Sequence, residues 1–175
     1  MKIRTLTLAA LWLALPLAAL AHGSAHVHGL AQMDIAVEAQ KISIALQTPL
    51  DNLVGFERAP RTDNERKRAD DAVAKLRAGN DMFKFDAAAG CKLANVSLES
   101  PALGLGNAKP AASGGHAELH GSWTFDCADT AQAAQLEVGL FAFNQLKRVQ
   151  VQLVLPKAQL KRELKRPNGK LSLRP

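Results

Sequence analysis

The residues with the clearest capacity for chemistry are the histidines. The chain has 5 of them, and all lie in two short stretches, His22, His26 and His28 in "HGSAHVH" and His116 and His120 in "HAELH", which also carries Glu118. Neutral imidazole nitrogen and carboxylate oxygen are the ligands that Zn²⁺ takes at about 2.0–2.2 Å in tetrahedral geometry. In an extended strand, side chains two apart share a face. His26 and His28 would then point one way, with Gln32 and Asp34 continuing their face and Val27, Ala31, Met33 and Ile35 opposite. Likewise His116, Glu118 and His120 would share a face with Ser122 and Thr124, opposite Ala117, Leu119, Trp123 and Phe125. If the two strands pair, or meet at a sheet rim, His26, His28, His116, Glu118 and His120 form a candidate metal set, with Glu118 as a ligand or as the group that orients an imidazole.

Cu²⁺ is the alternative ion. A histidine at a free N-terminus offers both its α-amine and its ring, and Cu²⁺ stands above Zn²⁺ in intrinsic affinity. That role falls to His22 if cleavage follows Ala21. Lys2 and Arg4 precede fifteen uncharged positions, Leu6 to Leu20, and the small-residue pattern Ala19, Leu20, Ala21. Together these read as a signal peptide over residues 1–21. The apolar run would span only about 22 Å as a helix, short of a hydrocarbon core near 30 Å, so no membrane span is expected. Residues 22–175 then make one domain in an exported, periplasmic protein.

Export bears on the rest of the composition. The formal net charge is +6, and two of the 22 basic residues go with the signal, leaving 20 against 16 acidic ones. Such a balance, outside the cytosol, argues against nucleic acid as a partner. The basic run Lys161, Arg162, Lys165 and Arg166 is read as a solvated strand edge protected by charge, with a polyanion or lipid headgroups as the competing reading. The two cysteines, Cys91 and Cys127, are expected to form a disulfide, since an oxidising compartment favours one and no C-x-x-C spacing suggests redox catalysis. A bridge of that span would restrict the unfolded chain by roughly 3 to 4 kcal/mol.

The elements that must position these groups follow from periodicity. "GLAQMDIAVEAQKISIALQTP" alternates twice, giving two antiparallel strands with a turn near Ala39 and Gln40. Thr62 and Glu65 form a capping pair that starts a helix running to about Ala78. Ala69, Ala72, Val73 and Leu76 make its apolar stripe, and Gly79 is placed as a left-handed cap. "CKLANVSLES", "HAELHGSWTFDC", "LEVGLFAF", "RVQVQLVLP" and "KLSLR" supply further strands, six or seven in all. "PALGLGNAKPAASGG" reads as a connection. The expectation is an α+β fold, a predominantly antiparallel β-sheet with one main helix packed on it and one disulfide.

Five segments, "HVHGLAQMDIAVE", "TPLDNLVGFERAP", "AAAGCKLANVSLES", "HAELHGSWTFDC" and "LFAFNQLKRVQVQLVLP", resemble the ZrgA-type family of Gram-negative periplasmic proteins linked to zinc uptake. The resemblance implies a zinc-binding protein that assists zinc acquisition or buffering, handing the ion to the binding protein of a zinc importer, with His26, His28, His116, Glu118 and His120 as the matching ligands. Two departures are visible. Arg58 follows "GFE" where members often carry histidine, and a guanidinium cannot ligate a metal. The connection before His116 also lacks the histidine- and acid-rich tract of many members, so a single site, or a degenerate one, is expected rather than a multi-ion store.

An enzyme is not expected. No H-E-x-x-H motif is present, and nothing pairs a nucleophile with a histidine, although Glu118 could act as base beside an open zinc position. The remaining alternative is a metal-independent envelope interaction module using the basic C-terminal run, with Phe56 and Arg58 presented on a loop as binding hot spots, although Phe56 is equally suited to plug the core.

Overall fold

The computed structural model describes residues 27–107 and 117–175. The expected signal peptide, its cleavage point, His22, His26 and His116 lie outside the described residues. Nine strands occur among those described: β1 (Leu30–Val37), β2 (Lys41–Pro49), β3 (Phe83–Phe85), β4 (Lys92–Glu99), β5 (Glu118–Asp126), β6 (Gln135–Val138), β7 (Arg148–Leu155), β8 (Ala158–Lys165) and β9 (Lys170–Ser172). Three α-helices lie between them, with short 3-10 turns elsewhere: α1 (Asp51–Val54), α2 (Asp63–Arg77) and α3 (Gly79–Met82).

The larger sheet runs β4-β5-β2-β1-β7-β8, and a second sheet runs β3-β6-β9. Every pair is antiparallel except β1 with β7. The fold is therefore α+β, mostly antiparallel, with one main helix. The strand count exceeds the six or seven expected for two reasons. β3 is three residues long, too short for alternation to register. β8 carries so many charges that it reads as a solvated edge, and it is indeed an edge strand of the larger sheet, at the end away from β4.

Alternation decides which face is buried. Ala31, Met33 and Ile35 of β1, Ile42, Ile44 and Leu46 of β2, Leu119, Trp123 and Phe125 of β5, and Val149, Val151 and Leu153 of β7 form one continuous core. The second sheet and α2 cover that face. Phe83 meets Trp123 edge-on with ring centroids 4.9 Å apart, and Phe85 meets Phe125 at 5.0 Å. The stripe Ala69, Ala72 and Leu76 of α2 is buried, with Val73 half-buried. The opposite face stays polar and open.

Cys91 and Cys127 form the expected disulfide, beside the β4–β5 pairing of Lys92 with Asp126. Gly79 departs from its expected role. Ala78, at φ −76°, ends α2, and Gly79 is instead buried, where a Cβ would lie 2.8 Å from Cδ1 of Trp123. Close packing, not a left-handed turn, requires glycine there.

Phe56 plugs the core rather than standing as a loop-presented anchor, the second of the two roles open to it. It is buried in the core, with the guanidinium of Arg58 5.3 Å and that of Arg68 5.6 Å from its ring centroid. Arg58 is held too, its two terminal nitrogens donating to the Glu65 carboxylate at 2.9 and 2.7 Å. In the basic run, Arg166 donates to the carbonyls of Leu146 and Phe143, so one of the four cations is used internally.

The helix start is half as expected. Thr62 Oγ1 accepts from the Glu65 N–H at 3.2 Å, while the Glu65 carboxylate reaches back to the N–H of Arg61 at 2.7 Å. The hydrogen bond from Arg58, then that from the Arg61 N–H, lowers the Glu65 carboxyl from its ordinary value to about 2. A depressed carboxyl contributes stability that is present above its unfolded value and lost as pH falls through the folded one. The melting-temperature gap between the protein and Glu65→Gln is therefore expected to be widest at pH 7 and to narrow as pH falls from about 4.5 toward 2. Thermal melts of both chains across that range check it, and a constant gap would contradict it.

Candidate functional site

β5 presents its polar face as alternation requires. Glu118 and His120 stand on the open side of the larger sheet, with His120 opposite Gln47 of β2 on one flank and Glu99 of β4 on the other. Gln47 Nε2 donates to both oxygens of Glu118 at 3.2 Å, and Glu118 Oε2 lies 3.1 Å from His120 Nε2. The amide thus fixes the carboxylate, and the carboxylate fixes the ring. Gln32, Asp34, Gln47, Ser97, Glu99 and His120 line a shallow open groove on this face.

His28 is placed differently from the strand expectation. β1 starts only at Leu30, because the chain turns at Gly29, which adopts φ +80°, and the Leu30 N–H donates to the Val27 carbonyl at 3.1 Å. A left-handed φ at this point suits glycine. The turn carries His28 off the sheet face and leaves Val27 45% exposed rather than in the core. The His28 ring instead lies between two carboxylates, with Nδ1 3.4 Å from Asp51 Oδ2 and Nε2 3.1 Å from Glu57 Oε1.

Asn52 makes that placement. Fully buried, it accepts from the Gly29 N–H at 2.6 Å and donates through Nδ2 to the Leu30 carbonyl and to Thr48 Oγ1, both at 2.9 Å. One amide thereby joins the turn bearing His28 to the short helix bearing Asp51. Asp51, Asn52 and Glu57 were not singled out from the sequence. Their signal was present in "PLDNLVGFE", where polar residues are interleaved with Leu50, Val54 and Phe56, all core residues.

The two histidine-bearing segments reach one end of the same sheet without pairing. Pro49, the last residue of β2, pairs with Glu118, the first of β5, and Leu50 N–H donates to the Ala117 carbonyl at 2.8 Å. β1 begins on the other flank of β2, so β1 and β5 are two strand spacings apart, roughly 9.6 Å. Among the described residues, no three His, Cys, Asp or Glu side chains are grouped to hold a metal ion. The described residues instead form two separate histidine–carboxylate groupings, His28 with Asp51 and Glu57, and His120 with Glu118.

A family described as ZrgA family zinc uptake protein matches residues 25–173. The chain belongs to the ZrgA family. Comparison with curated proteins gives no match. The ZrgA match takes in His26, His28, His116, Glu118 and His120 and leaves out His22. The description of the ZrgA family names zinc uptake. Among the described residues no helix is long and apolar enough to cross a membrane.

Proposed function

We propose that this protein is exported to the periplasm, where it binds zinc as cargo and, without catalysing a reaction, supports zinc acquisition by passing the ion to the binding protein of an importer. The single observation that carries the reading is the convergence of both histidine-bearing segments on one sheet end, each with an acidic partner already in place. Imidazole with carboxylate is a donor set that suits zinc. The family description and the Cys91–Cys127 disulfide, compatible with an oxidising compartment, support it.

The ligands in this reading are His26, His28, His116 and His120, with Glu118 as a ligand or as the group that orients His120. Calorimetric titration of residues 22–175 with Zn²⁺ tests it. Replacing His26 and His28 together by alanine, or His116 and His120 together, is expected to lower zinc affinity by about tenfold or more. Binding is also expected to weaken below about pH 6, as protons compete for imidazoles that ordinarily titrate near 6.5. Unchanged affinity in both double variants would end the reading. A parallel titration with Cu²⁺ shows whether an N-terminal His22 prefers copper.

A further inference from the structure

The surroundings of His28 assign different tasks to its two ring nitrogens. One imidazole nitrogen can ligate a metal only if it carries no proton, and the neutral ring then keeps its proton on the other nitrogen. The two carboxylates beside His28 differ in distance and in access. Nε2 lies 3.1 Å from Glu57 Oε1, close enough for the carboxylate charge to favour a proton on that nitrogen although the contact is not aligned as a hydrogen bond, whereas Nδ1 lies farther, 3.4 Å, from Asp51 Oδ2. Two donor atoms sharing one tetrahedral zinc at about 2.0–2.1 Å each are separated by about 3.3 Å. The Asp51 side matches that spacing.

Access gives the same order. Glu57 is 14% exposed with Oε1 shielded from solvent, while Asp51 is 22% exposed. Connectivity agrees as well, since Leu50 N–H donates to the Ala117 carbonyl and so sets Asp51 beside the start of β5, which carries Glu118 and His120. Asn52 fixes the spacing by holding Gly29 and Leu30 to the helix that bears Asp51.

Resting on the zinc reading above, we propose that Asp51 is a zinc ligand beside Nδ1 of His28, and that Glu57 is a positioning residue whose charge favours the proton on Nε2. The ring lies between the carboxylates, so one ion takes Asp51 and not both. Its remaining positions fall to water or further imidazoles.

The test combines zinc calorimetry with ¹⁵N NMR of the histidine rings, using residues 22–175 and the His28→Ala, Asp51→Asn and Glu57→Gln variants. Both carboxylate changes keep side-chain shape, and thermal melts verify that each variant is folded. Asp51→Asn is expected to lower zinc affinity about as much as His28→Ala, and Glu57→Gln by about tenfold. On adding zinc, the Nδ1 resonance of His28 should shift while Nε2 keeps its proton, and Glu57→Gln should weaken the preference for the Nε2–H tautomer before zinc is added. Parent-like binding by Asp51→Asn while His28→Ala is impaired would overturn the proposal, as would zinc on Nε2. An unaffected His28→Ala would overturn it as well, whereas a parent protein that binds no zinc would remove the zinc reading itself.

Discussion

Trp123→Ala is expected to cost about 3–5 kcal/mol of folding stability, the range for truncating a large buried aromatic. The indole is fully buried, and its Nε1–H donates to the carbonyl of Leu76 near the end of α2 at 2.8 Å. Truncation therefore empties the centre of the core and removes that carbonyl's donor. Two glycines make room for the ring. A Cβ on Gly121 would lie 2.3 Å from Cη2, and one on Gly79 2.8 Å from Cδ1. Gly121→Ala should accordingly destabilise by about 1–3 kcal/mol through overpacking, with the indole still present. Urea unfolding followed by far-UV circular dichroism measures both, and a loss below about 1 kcal/mol for Trp123→Ala would contradict the packing described. The site depends on the result, since β5 carries Trp123 on one face and His120 on the other.

Asn52→Leu is expected to be nearly as severe, at about 3–5 kcal/mol, although it exchanges a polar side chain for an apolar one of similar volume. It leaves the Gly29 N–H, the Leu30 carbonyl and Thr48 Oγ1 without the partner each now has, at about 1–3 kcal/mol per buried group left unsatisfied. Amide hydrogen exchange localises the effect. The Gly29 N–H should be protected in the parent and exchange fast in the variant, while amides in β5 change only by the global loss. Equal loss of protection everywhere would mean that Asn52 supports the core and not the His28 turn in particular. Asn52→Asp keeps the acceptor for Gly29 but sets an oxygen against the Leu30 carbonyl, so it should be better tolerated at acid pH, where the carboxyl can donate.

Much of this was legible before the structure because it is local. Alternation in β1, β2, β5 and β7, the Thr62 cap and the β8 edge all follow from the pattern of a few adjacent residues. What was not legible depends on contacts between distant segments. The turn at Gly29 breaks the alternation immediately after His28, and its cause is Asn52, over twenty positions away. Gly79 is where a helix would end in a left-handed cap, but its environment is set by Trp123 from β5. Asp51 and Glu57 looked like ordinary polar residues of a loop. Only the path of the chain into α1 turns them toward His28.

The parallel pairing of β1 with β7 has a consequence for how the protein comes into being. The Gly29 carbonyl accepts from the N–H groups of both Lys147 and Arg148 at 2.8 Å, and β1 pairs along its length with residues 148 to 154. A chain is made from its N-terminus, so the segment bearing His28 emerges early yet lacks one side of its clasp until residues 147 and 148 have followed. Antiparallel pairing with β2 can form at once, but the distant pairing is the slow kind, because loop closure precedes the contacts that reward it. His28, made early, is thus among the last residues to be fixed in place.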